Sequence, residues 1–259
     1  MIQQNISFAG AGRLASALCI MMYKAGYVID LIVSQSESGA RVLSDSCKAS
    51  CSQSLNFPDS TKIIVVAVPD HQLLSVLGKI NCNPQTLVVH TAGSYGLEVF
   101  PEHIKQKGVF YPLQTFTINR KVDFIDIPFL IESSDIQSSE IMENLAESIG
   151  GKAHFVQVEQ RRMLHLAAVF VCNFTNHILT GGKELALRSG FSFEILVPLL
   201  KETILKAIEI GPENAQTGPA VRNDNNTIEK QLELLSFSPD LQKIYNDMTR
   251  SIMKYYNVK

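Results

Sequence analysis

The sequence has no strong excess of charge, few cysteines and no long uninterrupted apolar run, and each absence narrows the possible functions. Among 259 residues, 23 Lys and Arg are balanced by 25 Asp and Glu, so the net charge is −2. A nucleic-acid-binding protein needs a basic field, and this composition argues against one. No continuous apolar run reaches the roughly 18 residues of a membrane-spanning helix, so we expect no membrane association.

Five cysteines are scattered through the chain and match neither a disulfide framework nor a zinc site. Cys47 and Cys51 lie four residues apart in a predicted helix, without a second Cys or His pair nearby. We therefore predict no metal site and expect reduced, mostly buried thiols, which are typical of cytosolic proteins. The first predicted strand begins near Ile6, which leaves no room for a signal peptide. A cytoplasmic location is the resulting prediction.

The chain divides into two parts with different patterns. Up to residue 157, predicted strands alternate with helices, which is typical of a parallel sheet with helices on both faces. A short strand is possible near Leu55. From residue 158 only helices are predicted, and the longest, over RRMLHLAAVFVCNFTNHILTGGKELALRSG, has Gly181–Gly182 as a possible break point. We therefore predict an α/β domain over residues 1–157 and an all-helical domain over residues 158–259.

The segment ISFAGAGRLASAL combines a predicted strand, a glycine-rich turn and the start of a helix. Gly10, Gly12 and Ala15 fit the pattern G-x-G-x-x-A. The first glycine permits the tight turn, the second lets the backbone approach a pyrophosphate, and the small third residue lets helix and strand pack closely. We predict a dinucleotide-binding turn, and the alternative is a purely structural connection. The residues assigned to the cofactor here are Gly10, Ala11, Gly12, Arg13 and Leu14.

The end of the second predicted strand distinguishes the two nicotinamide cofactors. An NAD site usually has an Asp or Glu there, which accepts hydrogen bonds from the ribose 2′-hydroxyl. This chain has Ser34, Gln35 and Ser36 instead. Serine hydroxyls can donate to a 2′-phosphate, and Arg41 or Arg13 could add positive charge. NADP(H) is therefore favoured over NAD(H), the alternative being a polar loop with no cofactor role.

Two further predicted strands end in AVPD at 67–70 and HTAGS at 90–94. Ligands of open α/β sheets bind at the carboxyl ends of strands, so both segments are candidate contacts. We expect Asp70 to cap the next helix. His90 is either a structural histidine or a residue that takes part in the chemistry. The residues assigned to the nicotinamide end are Val68, Pro69 and Thr91, and Ser94 is assigned to the substrate.

The predicted helix HLAAVFVCNFTNH, at 165–177, is mostly apolar but carries four polar side chains. At about 100° per residue, Asn176 projects within about 20° of His165, whereas Asn173 and His177 lie about 80° and 120° away. A buried helix is expected, in which unpaired polar groups cost about 1–3 kcal/mol each. These groups therefore either pair within the core or line a ligand cavity.

We predict His165 and Asn173 to be catalytic. His165 would be a proton donor or substrate anchor, and Asn173 would hydrogen-bond the substrate. Asn176 is assigned to substrate binding, and His177 is a weaker candidate. In the later segment TGPAVRND, Arg222 could bind a substrate carboxylate with its planar fork, while Asp224 orients it or caps the next helix. The alternative for this segment is a plain interhelical loop.

Together these segments resemble an uncharacterised family that pairs a Rossmann-like domain with a C-terminal helical domain of unknown function. The matching stretches are FAGAGRLASAL, AVPD, HTAGS, FYPLQTF, HLAAVFVCNFTNH and TGPAVRND. The family is similar to F420-dependent NADP oxidoreductases and pyrroline-5-carboxylate reductase, with a helical domain like the C-terminal domain of 6-phosphogluconate dehydrogenase. The resemblance implies hydride transfer between NADP(H) and a small C=O or C=N substrate in an interdomain cleft, and a homodimer.

One position departs from the wider group. In related hydroxyacid dehydrogenases a catalytic Lys precedes an Asn by four residues, whereas here Val169 precedes Asn173. Either His165 takes the acid role or the substrate differs. The alternatives to an enzyme are a non-catalytic nucleotide-binding or regulatory protein that senses the nucleotide, and a scaffold whose glycine turn binds nothing.

Overall fold

The chain forms two compact units. The computed structural model describes residues 4–117 and 123–256, apart from the side chain of Glu37. The units comprise Met1–Cys172 and Asn173–Lys259, so the division falls within the predicted long helix. The domain boundary between residues 157 and 158 stays a prediction.

The described residues of the first unit form one mixed β-sheet. Its strands are β1 (Asn5–Ala9), β2 (Val28–Val33), β3 (Ser50–Ser52), β4 (Ile63–Val66), β5 (Leu87–His90), β6 (Gln106–Pro112), β7 (Pro128–Ser133) and β8 (Lys152–Phe155). The strand order is β3-β2-β1-β4-β5-β6-β7-β8, and every neighbouring pair is parallel except β6 and β7. The predicted α/β class is confirmed. The short strand lies at Ser50–Ser52 rather than near Leu55, whose carbonyl instead accepts a hydrogen bond from Asn81 N.

Helices cover both faces of this sheet, which explains the near-continuous apolar strands. Ile63 and Val65 of β4 pack into one buried cluster, whereas Ile64 and Val66 pack into a second. A strand buried on both faces cannot alternate polar and apolar residues. The helices of this unit are α1 (Arg13–Lys24), α2 (Glu37–Cys47), α3 (Asp70–Leu77), α4 (Ile136–Ser148) and α5 (Val158–Ala168).

The second unit, as described over residues 173–256, contains helices and no strand. A π-helical segment, Val169–Phe174, joins α5 to the first of them. They are α6 (Thr175–Arg188), α7 (Val197–Ile210), α8 (Pro212–Ala215), α9 (Asn225–Leu234) and α10 (Pro239–Tyr255). The glycine pair does not break α6. A Cβ at Gly181 would come within 2.9 Å of Leu241 Cδ2, so this glycine allows α10 to pack closely.

The long helix Val158–Arg188 is largely exposed, which contradicts the expectation of a buried helix. Val171, for example, is 74% exposed. An 18-residue window of it has mean hydropathy 1.3, so among the described residues this helix is long and apolar enough to cross a membrane by length and composition alone. A search for uninterrupted apolar runs does not find this helix, because polar residues such as Asn173 interrupt the stretch. Its first turns nevertheless pack on protein, because Arg161 is fully buried and pairs with Glu132 of β7.

The cysteines are less buried than expected. Cys19 and Cys47 are buried, with their sulfur atoms 3.5 Å apart, and Cys82 and Cys172 are half-buried. Cys51 is exposed and belongs to β3 instead of to the helix with Cys47. The helix ends first because Lys48 adopts a left-handed conformation with φ of 53°.

Candidate functional site

The glycine turn connects β1 to α1 at the point where the strand order reverses. The N–H of Gly10 donates to Val33 O at 2.7 Å, and the φ of Gly10 is +118°. A Cβ at Gly10 would lie 2.9 Å from the carbonyl carbon of Ala67 and still closer to its oxygen. Gly10 therefore allows the backbone that follows β1 to pass close to the backbone that follows β4. Ligands of open α/β sheets bind at this switch point.

Gly12 differs from Gly10 because it adjoins open space. It caps α1 with φ of −75°, which any residue can adopt, and no side chain of the described residues caps the helix. A Cβ added at Gly12 would meet no described heavy atom within 4 Å. The first N–H groups of α1, from Arg13 onward, are thus accessible to an anion, and a pyrophosphate fits this helix start.

A cavity lies at the end of β2. It has a volume of about 440 Å³ and is lined by Ser34, Ala40, Arg41, Cys51, Ser52 and Gln53. Gln35 and Ser36, the other predicted residues, are exposed beside it. Ser36 N–H donates to Ser34 Oγ at 3.2 Å, which holds the turn. The tertiary fold thereby brings Cys51 and Ser52 of β3 to the cavity at the end of β2, which the sequence pattern did not indicate.

The carboxyl ends of β4 and β5 come together as predicted from their parallel pairing. Thr91 is buried, and its N–H donates to Val66 O at 3.1 Å. Pro69 precedes α3, and Asp70 is the first helical residue without capping it, so the expected cap is wrong. The Asp70 carboxylate instead accepts from Ser94 Oγ at 2.5 Å. This contact joins the two loops assigned to the nicotinamide and the substrate.

Tyr111 and His165 form a hydrogen-bonded pair that sequence reasoning missed. Tyr111 Oη lies 2.8 Å from His165 Nδ1, and their rings meet edge to face. Burial raises the pKa of the Tyr111 phenol, with a smaller contribution from the Asp70 charge. A Cβ at Gly93 would be 2.7 Å from His165 Nδ1, so the β5 loop allows the imidazole to approach. The segment FYPLQTF contained Tyr111, but no spacing rule linked it to His165.

Two arginines hold the start of α5 against this loop. Arg161 Nη1 pairs with Glu132 Oε2 at 2.6 Å, and Nη2 donates to Tyr95 O. Arg162 Nε donates to Ser94 O at 2.7 Å. A buried ion pair fixes geometry because breaking it leaves an uncompensated charge. These contacts therefore position His165 beside Tyr111.

His90 is a structural residue. Its imidazole is fully buried, accepts at Nδ1 from Ala92 N–H (3.2 Å), contacts Gly96 O through Nε2 (3.2 Å) and stacks on Phe100. Because Nδ1 accepts, the proton lies on Nε2 and donates to the Gly96 carbonyl. Both nitrogens are thus used inside the protein. Burial lowers the pKa of His90 to about 4, which keeps the ring neutral.

The stability of the protein should decrease as the pH falls because of His90. Its folded pKa of about 4 lies below the ordinary 6.5, so the unfolded chain binds a proton first. The resulting loss is about 2 kcal/mol between pH 7 and pH 5. Urea unfolding at both pH values measures it. His90→Gln should remove this part of the pH dependence and exposed His71→Gln should not; equal dependence in the two variants would contradict the assignment.

The predicted residues of the second unit lie on exposed surface. Asn173, Asn176 and His177 are exposed, so the burial cost that singled them out does not apply. The π-helical segment, with hydrogen bonds from i to i+5, also invalidates the angles calculated for a regular helix. Arg222 is exposed as well. Asp224 caps α9 by accepting from the N–H (3.1 Å) and hydroxyl (2.7 Å) of Thr227.

The sheet order and the open glycine turn define a class, the proteins with a Rossmann-like fold. A family model described as "Rossmann-like domain" matches residues 2–115, and one described as "Domain of unknown function (DUF2520)" matches residues 127–252. The chain belongs to the family that combines these two domains. A candidate NADP oxidoreductase from Bacteroides fragilis is 36% identical, with 97% of this chain and 98% of that chain covered and a TM-score of 0.90.

More distant solved structures share the fold. A Thermotoga maritima protein is 23% identical with a TM-score of 0.69, over 97% of this chain and 98% of its own. An imine reductase from Myxococcus stipitatus, in complex with NADP+, is 18% identical with a TM-score of 0.64, over 96% and 93%. No curated protein matches the chain. Within residues 4–117 and 123–256, no three His, Cys, Asp or Glu side chains are grouped so that they could hold a metal ion.

Proposed function

We propose that the protein is an NADP(H)-dependent oxidoreductase that acts on a small molecule with a C=O or C=N bond. The observation that carries the proposal is the open space at Gly12, at the start of α1. Its N–H groups and positive dipole end suit a pyrophosphate. NADPH, when bound, would supply the hydride. The free cysteines support a cytoplasmic location.

The chain's own residues are assigned as follows. Residues 10–14 hold the pyrophosphate, Ser34, Gln35 and Ser36 with Arg41 hold the 2′-phosphate, and Val68, Pro69 and Thr91 contact the nicotinamide end. Ser94, Asn173, Asn176 and Arg222 remain proposed contacts of the substrate. The similarity of the Bacteroides fragilis protein supports NADP as the cofactor.

His165 is the proposed proton donor, and Tyr111 fixes its protonation. Since burial raises the pKa of Tyr111, the resting phenol is protonated and donates a hydrogen bond to His165 Nδ1. The remaining imidazole proton then lies on Nε2 and is directed at a carbonyl oxygen or imine nitrogen. When Nε2 gives it to the substrate, Nδ1 takes the phenol proton, and Tyr111 regains a proton from solvent. His165 would thus take the role of the catalytic Lys of related hydroxyacid dehydrogenases, at whose position this chain has Val169.

The proposal is tested with NADPH and a panel of aldehydes, ketones and cyclic imines, following NADPH absorbance. We expect turnover of at least one compound. His165→Ala should then lower kcat by about 10²–10⁴-fold and leave NADPH affinity unchanged, whereas exposed His71→Ala should change neither. Saturable NADPH binding without turnover of any compound would favour the sensor, and absence of binding would overturn both.

Replacement of Arg41 should weaken NADPH more than NADH. A charge-assisted hydrogen bond to the 2′-phosphate contributes about 1.5–3 kcal/mol, so Arg41→Ala should raise the Kd of NADPH by about 10- to 100-fold. Cofactor fluorescence measures both affinities. Arg41→Lys keeps the charge but loses the planar guanidinium, so its Kd for NADPH should lie between those of the wild type and Arg41→Ala. Equal weakening of NADPH and NADH in Arg41→Ala would contradict this assignment.

A homodimer is also part of the proposal. Within the described chain α7 has no buried residue, and it exposes Leu199 (65%), Leu205 (62%) and Ile208 (77%). A helix this apolar is expected to be covered, and a second copy would cover it. Sedimentation should give twice the chain mass, and Ile208→Glu should give monomers. Glu147→Lys, a charge change on the exposed face of α4, should not; a monomeric wild type would refute the dimer.

A further inference from the structure

The helical unit has a cavity of its own, which is open to solvent, because Ile178 and Met248 in its wall are about half exposed. It has a volume of about 400 Å³ and lies among α6, α9, α10 and residues 217–220. The segment TGPAVRND thus contributes to it through Thr217, Pro219 and Ala220, while Arg222 and Asp224 do not line it. Ala220 is 7% exposed and forms part of its wall. This segment therefore forms part of the cavity wall, in addition to the proposed contact of Arg222 with a carboxylate.

The lining of this cavity is almost entirely apolar. Of the described residues that form it, none is Asp, Glu, Lys or Arg, and most are apolar. Polar atoms come from few side chains, including His177, Gln231 and Tyr245. Tyr245 Oη donates to Gln231 Oε1 at 2.6 Å, which orients the amide. The Gln231 NH2 group and the Tyr245 oxygen lone pairs then remain for a ligand.

We propose that this cavity binds an uncharged small molecule with an aromatic or aliphatic body and one hydrogen-bonding group. Its volume lies in the range of ligand pockets, roughly 300–1,000 Å³, which combine apolar walls with a few polar groups. Water beside such walls makes few hydrogen bonds, so its displacement by an apolar group favours binding. A charged ligand would lose its hydration without an opposite charge in return. The inference does not depend on NADP(H) binding.

The experiment uses 2-naphthol as the probe and 2-naphthalenesulfonate as its charged counterpart. The full-length protein, labelled with 13C in its methionine methyl groups, is titrated with each and followed by NMR. Met248 lines the cavity, Met163 is 67% exposed in the other unit, and Met142 is fully buried there. We expect a saturable shift of the Met248 methyl with 2-naphthol, at a Kd below about 1 mM, and no shift of Met163 or Met142.

Two variants test the location. Ala220→Phe fills the cavity and should weaken 2-naphthol at least about tenfold. Gln231→Leu, at an exposed position, should weaken 2-naphthol but not naphthalene, and it remains informative if Ala220→Phe fails to fold. Equal shifts of Met163 and Met248, or equal affinity for the sulfonate, would overturn the proposal. So would an unresponsive Met248 in a dimer, which would show that a second copy fills this face.

Discussion

Gly12→Val should fold like the wild type and lose NADPH binding by at least about 100-fold. The backbone at Gly12 has φ of −75°, and an added Cβ would touch no described atom, so the fold has no need of glycine there. The two further methyl groups would occupy the space above the first N–H groups of α1. A pyrophosphate could then no longer approach them, and several charge-assisted hydrogen bonds would be lost.

Cofactor fluorescence measures the affinity, and circular dichroism with thermal unfolding measures the fold. Ala25→Val is the matched control, since it adds the same two methyl groups at the exposed opposite end of α1. Gly12→Ala should give an intermediate loss. If Gly12→Val bound NADPH as tightly as the wild type, the cofactor would not lie on this turn and the proposed function would fail.

Gly10→Ala should have the opposite signature, a large loss of stability. The φ of +118° is strained for any other residue, and the new Cβ would overlap the carbonyl group of Ala67. Backbone strain costs about 1–3 kcal/mol and overpacking about 1–3 kcal/mol more, so we expect a loss of about 2–6 kcal/mol. That is a large part of the roughly 5–15 kcal/mol that stabilises a typical domain.

Urea unfolding of Gly10→Ala, Gly12→Ala and the wild type gives the free energies of unfolding. Only Gly10→Ala should shift, because only its position combines a positive φ with a close backbone neighbour. Equal free energies in all three would mean that the turn can relax. The two variants together thus separate the structural glycine of the motif from the one proposed to face the cofactor.

The elements of the sheet unit were largely predictable because local signals and tertiary environment agree there. The strand β4, Ile63–Val66, is apolar throughout because both of its faces are covered, and Gly26 follows α1 as expected. The errors lie where tertiary contacts compete with local ones. Asp70 could cap α3 but instead accepts from Ser94, and Lys48 ends α2 before Cys51.

The candidate site was only half predictable, for a physical reason. His165 was predicted as a site residue because a histidine interrupts an apolar stretch. Its partner Tyr111 lies 54 residues away on β6 and could not be found, because no local period connects them. The predicted polar arc from His165 to Asn176 depended on a regular, buried helix. The π-helical segment shows that the helix is not regular, and the exposure of this region shows that it is not buried.

By itself, the sequence determined the α/β class, the glycine turn and the absence of an acid at the end of β2, because each depends on neighbouring residues and short periods. Only the tertiary structure decided that Gly10 serves β4 while Gly12 adjoins open space, that Tyr111 meets His165, and that an apolar cavity lies beside Ala220. Each of these features depends on which residues from distant parts of the chain pack beside it, and the spacing of residues along the sequence does not specify those neighbours.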